Sequence, residues 1–202
     1  MKKLFIIPLM ILSLGACNQM DPGDETDEPE VYDAAALAEA SQYVNELMNS
    51  LRNGTFNLST FRCPDVQWIH IAALMEYGKS EEIIGDDPKA GSARALPAGP
   101  YSSELMFQVS EGMFALWMVE AARIHTLDPQ ATGVAKGMLG WPSRNPFVQK
   151  VNPGTGTMEW YVNDPAVQTI LFNAYADWWK EAGGRKSAAK INPLEKTGYV
   201  WF

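Results

Sequence analysis

Apolar residues recur every three or four positions in several stretches of the chain, which is the spacing of amphipathic α-helices. The first stretch, residues 33–52, places five of them on one stripe: Leu37, Ala40, Val44, Leu47 and Leu51. Asp33 suits the N-cap of such a helix, and Asn53-Gly54 is a pair that ends helices. The pattern therefore predicts a helix over 33–52.

Two later stretches, 64–77 and 103–124, are apolar on most sides of a helix rather than on one stripe. A helix with this pattern is buried in the protein interior. The second stretch contains Trp117, which we expect in the core, and Gly112. A glycine inside a helix costs about 1 kcal/mol relative to alanine, so we expect a close helix crossing at Gly112.

The C-terminal third combines a hairpin pattern with one more helix. β-Branched and aromatic residues flank the turn-forming stretch 152–156, which predicts a β-hairpin over 147–162. Asp164-Pro165 begins a helix that ends at Gly183-Gly184. The last residues, 191–202, carry three aromatic side chains and should pack back onto the helices. The predicted fold is mainly α, a single helical domain over 34–202 with a small β-hairpin.

The N-terminal residues have the layout of an export signal. Lys2 and Lys3 precede an apolar run over 4–14 that is too short to span a bilayer. Leu14-Gly15-Ala16-Cys17 closes the run and resembles the lipobox of bacterial lipoproteins. The resemblance implies that residues 1–16 are removed and that Cys17 carries the lipid. We therefore expect the protein to be held at a membrane by acyl chains, each buried CH₂ contributing about 0.8 kcal/mol.

Residues 17–33 form an acidic segment. It contains seven acidic residues, no basic residue and few apolar ones, a composition typical of a disordered linker. The segment also resembles the acidic export signals of surface-displayed lipoproteins of Bacteroides-type bacteria, and a plain spacer would have the same composition. Without the linker and the two N-terminal lysines, the chain keeps 14 basic and 17 acidic residues. This near-neutral domain argues against a nucleic-acid partner.

A family resemblance extends over most of the chain from about Ala34. It is carried by the stretches "CPDVQWIHIAALMEYGKSEEI", "SEGMFALWMVEAAR", "AYADWWKE" and "NPLEKTGYVWF". Their aromatic and small-residue spacing resembles a family of lipoproteins of Bacteroides-type bacteria, roughly 200 residues long, classed as a domain of unknown function. The resemblance implies a helical fold and a surface location, and it implies no activity.

Few residues have the types and spacing of a catalytic or metal site. The two histidines, His70 and His125, lie on different predicted helices and form no metal-spaced cluster. Cys63 has no partner for a disulfide if Cys17 is lipidated. Glu120 precedes Arg123 by three residues, which favours an ion pair on one helix. We predict no metal, no cofactor and no catalytic residue.

Three of the seven tryptophans, Trp141, Trp160 and Trp201, lie outside the predicted helices. Aromatic side chains in loops can stack on sugars or anchor a protein partner. They can also cover the helical core. The sequence thus favours a lipid-anchored surface lipoprotein of the outer membrane that binds a glycan or a protein. The alternative is a small hydrolase of glycans or peptides, with a site built from Glu76, His125 and loop residues.

Replacing the predicted lipid acceptor tests the proposed anchor. Cys17→Ala should abolish incorporation of labelled fatty acid and move the protein out of the membrane fraction, because no acyl chain remains to be buried. Fractionation and lipid labelling measure both effects. Continued membrane retention with an unchanged lipid signal would contradict the lipoprotein assignment.

Overall fold

A computed structural model describes residues 27–53, 66–84, 109–128, 146–152, 154–161 and 164–201. Within these ranges the fold is mainly helical, as predicted. Its α-helices are α1 (Ala34–Arg52), α2 (Ile71–Tyr77), α3 (Glu111–Leu127) and α4 (Pro165–Ala182). Two short 3₁₀ helices, Trp68–His70 and Lys186–Lys190, precede α2 and follow α4.

Two small antiparallel sheets accompany the helices. In the first sheet, β1 (Ile83–Ile84) pairs with β2 (Val109–Ser110) just before α3. In the second, β3 (Val148–Val151) lies between β4 (Met158–Tyr161) and β5 (Tyr199–Trp201). The β3–β4 hairpin confirms the prediction for 147–162.

The turn between β3 and β4 uses the residues that the sequence singled out. The Asn152 side chain accepts a hydrogen bond from the Gly154 amide at 2.9 Å, and the Asn152 amide donates to the Thr157 carbonyl at 2.9 Å. Gly156 has a φ of 68°, a left-handed conformation that favours glycine. The C-terminal residues pack back as expected, and they do so as strand β5, whose Tyr199 is buried in the core.

Helix α3 forms the centre of the domain. Every residue from Glu111 to Arg123 is buried, and Trp117 keeps only 1% of its surface exposed. Helices α2 and α4 and the 3₁₀ helix Lys186–Lys190 all contact α3. The predicted core position of Trp117 is confirmed, and Trp68 and Trp178 are buried as well.

The start of α3 differs from the prediction. The sequence pattern placed it near residue 103, whereas Val109 and Ser110 belong to strand β2 and the helix begins at Glu111. The Ser110 hydroxyl accepts a hydrogen bond from the Met113 amide at 3.2 Å and so caps the helix. The apolar spacing continues upstream of Ser110, which is why the spacing alone could not locate this end.

The other long helices begin where the sequence predicted. Asp33 accepts a hydrogen bond from the Ala36 amide at 2.7 Å at the start of α1. Asp164 accepts from the amides of Ala166 and Val167 at 2.9 and 3.1 Å at the start of α4. Both carboxylates satisfy amides that have no partner within the helix and interact favourably with its positive end.

Gly112 lies where the end of α2 and the side of α4 meet the start of α3. Its amide donates to the Ser80 carbonyl at 3.0 Å. A Cβ atom at this position would lie 2.7 Å from the Gly78 carbonyl oxygen and 2.8 Å from that of Ser80, and it would also clash with the Gln168 side chain. The close approach predicted for Gly112 is therefore present.

Gly112→Ala should lower the free energy of unfolding by about 1–3 kcal/mol through overpacking. The roughly 1 kcal/mol that alanine gains in helix propensity does not offset this loss. Urea unfolding measures the change. Gly154→Ala is the control, because the new Cβ would lie 3.4 Å from the Asn152 side-chain oxygen, an ordinary contact in an exposed turn. A Gly112→Ala variant at least as stable as wild type would contradict the packing described here.

Candidate functional site

The buried Glu120 is held by a network of internal hydrogen bonds. Arg123 approaches its two carboxylate oxygens at 2.8 and 2.6 Å, which confirms the predicted ion pair. The Tyr175 hydroxyl donates to the same carboxylate at 2.8 Å and accepts from the Trp201 indole N–H at 2.8 Å. Arg123 also donates to the Ala189 carbonyl at 2.6 Å. This network joins α3, α4, β5 and the 3₁₀ helix that follows α4.

The charge state of Tyr175 suits its place in the network. Burial of the phenol raises its pKa well above the usual value, and the neighbouring Glu120 carboxylate raises it further. The hydroxyl therefore stays protonated at neutral pH and acts as a donor to Glu120. Each group of the network has a partner, as buried polar groups require.

The second buried carboxylate, Glu111, lies in the first turn of α3. Arg52 at the end of α1 places its Nε 2.8 Å from one carboxylate oxygen and its Nη2 2.9 Å from the other. The Glu111 side chain is 1% exposed, whereas the Arg52 side chain keeps 34% of its surface exposed. The positive end of α3 further stabilises the carboxylate at this position. Glu111 and Glu120 are thus both paired with arginines inside the fold.

A different group of side chains gathers where the acidic segment meets the domain. The Glu30 amide donates to the Gly184 carbonyl at 3.2 Å, and the Glu30 carboxylate lies 2.8 Å from the Lys186 ammonium. Asp27 accepts a hydrogen bond from the Ser187 hydroxyl. Residues 27–33, which the sequence assigned to the linker, therefore contact the domain in the structure. We call residues 27–32 the docked segment.

Beside the docked segment is a cavity of about 290 Å³. It lies at the C-terminal end of α3, between the docked segment and the two 3₁₀ helices. Its lining residues come from all of these elements: Tyr32, Gln67, Trp68, His125, Thr126 and Lys186. The cavity combines aromatic surface with hydroxyl, amide, imidazole and ammonium groups, which is the usual composition of a small-ligand site.

Packing and hydrogen bonds fix the walls of the cavity. The Trp68 indole N–H donates to the Gly184 carbonyl at 3.1 Å, and its ring packs edge-on against Trp178 and Trp179 at 5.6 and 5.2 Å. The Thr126 hydroxyl donates to the Ala122 carbonyl at 2.8 Å, which leaves its oxygen able to accept. The wall behind the lining side chains is therefore held in place before any ligand binds.

Two ionisable groups of the cavity, Tyr32 and Lys186, have raised pKa values. Burial raises the pKa of Tyr32, Lys186 opposes this shift, and Glu30 adds to it, so the phenol stays a donor at neutral pH. The hydrogen bond that Lys186 donates to the Glu30 carboxylate raises the pKa of Lys186, which keeps the ammonium charged. His125 is partly buried, and its side chain has no hydrogen-bond partner within the described part of the chain.

The structure does not bring the two residues of the hydrolase alternative together. His125 lines the cavity at the C-terminal end of α3. Glu76 is near the end of α2, which lies beside the start of α3 because the Gly112 amide donates to Ser80. The length of α3 between Gly112 and His125 is about 20 Å at 1.5 Å per residue. Glu76 and His125 therefore lie towards opposite ends of α3.

Of the three tryptophans proposed for binding, Trp201 is the one whose side chain the structure describes. Trp201 is partly buried, and its indole N–H is engaged by Tyr175. Trp160 is in β4, opposite Gln149 of β3. Trp141 lies outside the described residues, as do Cys17 and Cys63. Trp201 is not among the lining residues of the cavity, and the binding role of all three tryptophans stays a prediction.

His70 has a structural environment. Its Nδ1 accepts a hydrogen bond from the Gln67 amide at 2.9 Å, and its ring packs against Tyr43 at 4.9 Å. In the ranges that the structure covers, no three histidine, cysteine or acidic side chains form a group suited to a metal ion. The same ranges contain no helix with the length and apolar character of a membrane span.

The model of one protein family matches residues 37–202, which is most of the chain. The chain belongs to DUF4943, a domain of unknown function. A search of curated proteins found no match, and a search of solved structures found none either. The predicted membership in a family of unknown function is confirmed, and the lipoprotein character of this DUF4943 protein stays a prediction.

The sequence did not indicate most of the cavity residues of this DUF4943 chain. Tyr32 lies in a segment assigned to the linker. Gln67 directly precedes one short 3₁₀ helix and Lys186 begins the other, and neither helix has a clear sequence pattern. One signal was present, since an aromatic residue is unusual in an acidic linker and Tyr32 directly precedes the cap of α1. Of the cavity residues, His125 is the one that the sequence suggests for a site.

Substitutions in the Glu120 network should change stability strongly. Glu120→Ala leaves Arg123 buried without its counter-charge and should cost about 3–5 kcal/mol. Tyr175→Phe removes a donor to Glu120 and an acceptor for Trp201 and should cost about 1–3 kcal/mol. Urea unfolding measures both, with Glu39→Ala on the exposed face of α1 as the control. Wild-type stability of Glu120→Ala would contradict a structural role and leave Glu120 available for another.

Proposed function

We propose that this DUF4943 protein is a lipid-anchored lipoprotein of the outer membrane, facing the cell surface, and that its domain is a non-catalytic binding module for glycans. The cavity at the C-terminal end of α3 is the proposed binding site. The anchor rests on the lipobox-like sequence before Cys17, and the surface location rests on the acidic segment that follows it.

The observation that carries the binding role is the composition of the cavity. Tyr32 and Trp68 provide aromatic surface of the kind that sugar rings stack on. Gln67 and Thr126 provide hydrogen-bonding groups for sugar hydroxyls, and the packed wall behind them reduces the entropy lost on binding. A volume of about 290 Å³ suits one or two sugar rings at the tip of a larger glycan.

The position of the cavity supports a role in capture from outside the cell. The docked segment includes the lining residue Tyr32, so the tether meets the domain beside the binding site. In this arrangement the acidic segment connects the site to the membrane anchor at Cys17. A protein is the alternative to a glycan as the captured ligand, and Trp141, Trp160 and Trp201 are its proposed contacts.

The side chains of the cavity support binding without catalysis. Glycoside hydrolysis uses two carboxyl groups about 5–10 Å apart, and none of the lining residues that the structure describes carries a carboxylate. The two buried carboxylates of α3, Glu111 and Glu120, are held by arginines, so neither is placed to act as an acid or base there.

Affinity electrophoresis of the full chain against a panel of neutral and acidic polysaccharides tests this proposal. At least one polysaccharide should retard the protein, and His125→Ala should reduce the retardation, because the imidazole lines the cavity. Lys190→Ala is the matched control, since Lys190 is exposed on the 3₁₀ helix and makes no cavity contact. The chain length of the polysaccharide should stay unchanged. Retardation by no polysaccharide would contradict glycan binding, and new reducing ends would favour the hydrolase alternative.

A further inference from the structure

The cavity lining contains a cation, Lys186, in a chain of negative net charge. The chain has a formal net charge of −8, yet Lys186 is the one charged side chain among the lining residues that the structure describes. The Lys186 ammonium attracts an anionic group, and its partial exposure leaves it within reach of a ligand. A neutral ligand would form no ion pair with Lys186.

The docked segment shows which chemical group fits beside the cavity. The Glu30 carboxylate lies 2.8 Å from the Lys186 ammonium, and it also raises the pKa of the Tyr32 phenol. Both of these partners are cavity residues, so Glu30 acts as an internal carboxylate on the cationic part of the lining. The hydrogen bond from the Glu30 amide to the Gly184 carbonyl keeps this carboxylate close to Lys186.

The pairing between Glu30 and Lys186 is weak enough to be exchanged. Their side chains are 36% and 48% exposed, and exposed ion pairs contribute little to stability because water solvates both partners. A ligand that brings its own carboxylate can replace Glu30 at Lys186. The same ligand gains hydrogen bonds to Gln67, Thr126 and His125 that Glu30 does not make.

We infer that the cavity binds the carboxylate of an acidic sugar, which takes the place of Glu30 at Lys186 and places its ring hydroxyls against Gln67, Thr126 and His125. This inference rests on the proposed binding function and names the class of glycan. It also couples ligand binding to the tether, because the displaced Glu30 belongs to the docked segment. Ligand binding and docking of Glu30 therefore compete for one ammonium group.

The imidazole signals of the full chain provide a direct readout, since His70 and His125 are its only histidines. In ¹⁵N-histidine-labelled protein, titration with sodium D-glucuronate should shift the His125 signals and leave those of His70 in place. D-glucose at the same concentrations should shift neither. A His70→Gln variant assigns the two sets of signals. Absence of a shift at tens of millimolar glucuronate, or an equal shift with glucose, would overturn the inference.

Two charge variants test the exchange itself. Lys186→Gln should weaken glucuronate binding at least about tenfold, because a charge-assisted hydrogen bond is lost. Glu30→Gln should strengthen it about twofold to fivefold, because a weak internal competitor is removed. Glu28→Gln, an equal charge change at an exposed residue of the same segment, should leave the affinity unchanged. An affinity of Glu30→Gln equal to or below that of wild type, or of Lys186→Gln equal to wild type, would overturn the exchange.

The polysaccharide panel separates this inference from the general proposal. Retardation by neutral polysaccharides that depends on His125, without any effect of glucuronate, would keep the glycan-binding function and refute the acidic-sugar assignment. Retardation by acidic polysaccharides that Lys186→Gln abolishes and Lys190→Gln preserves would support both.

Discussion

The burial of α3 on all sides is the constraint on which the rest of the structure depends. A helix surrounded by protein must pair every charge that it carries, and α3 carries Glu111, Glu120 and Arg123 within its buried part. Arg52 comes from the end of α1 to pair with Glu111, whereas Tyr175 of α4 and the Ala189 carbonyl complete the Glu120–Arg123 pair. Trp201 then attaches strand β5 to the same network through Tyr175. The pairing of charges on one helix thus fixes the positions of elements from both ends of the domain.

Local chemistry made the outer elements predictable. The caps Asp33 and Asp164 and the turn around Asn152 are short-range signals, and the structure contains the helices and the hairpin that they imply. The sequence pattern misplaces the start of α3, because a stretch that is apolar on all sides of a helix does not mark where the helix begins. The N-cap residue Ser110 lies inside this stretch and does not stand out. Tertiary pairing was harder to predict. The i, i+3 spacing indicated the Glu120–Arg123 pair, but no spacing connects it to Tyr175 or Trp201, which come from separate parts of the chain.

The proposed site depends indirectly on the burial of α3. His125 and Thr126 reach the cavity because they lie at the C-terminal end of the buried helix, and Lys186 reaches it because Gly183 and Gly184 turn the chain after α4. The docked segment adds Tyr32 and places Glu30 on Lys186. Composition identified this segment as acidic but could not identify the cation that it would meet. Trp201, a binding candidate from the sequence, donates to Tyr175 in the Glu120 network instead, because a position outside the helices does not show which side chains surround a cavity.

Native-state hydrogen exchange measures most directly whether α3 is the centre on which the fold depends. Amides in the buried part of α3 should exchange only through global unfolding, with a free energy equal to that from urea unfolding. The amide of Glu30, which is bonded to Gly184 at the surface, should exchange through local opening of much lower free energy. Exchange of the α3 amides through partial opening, while α1 and α4 stay protected, would contradict this account, because it would show that the outer helices hold together without the central one.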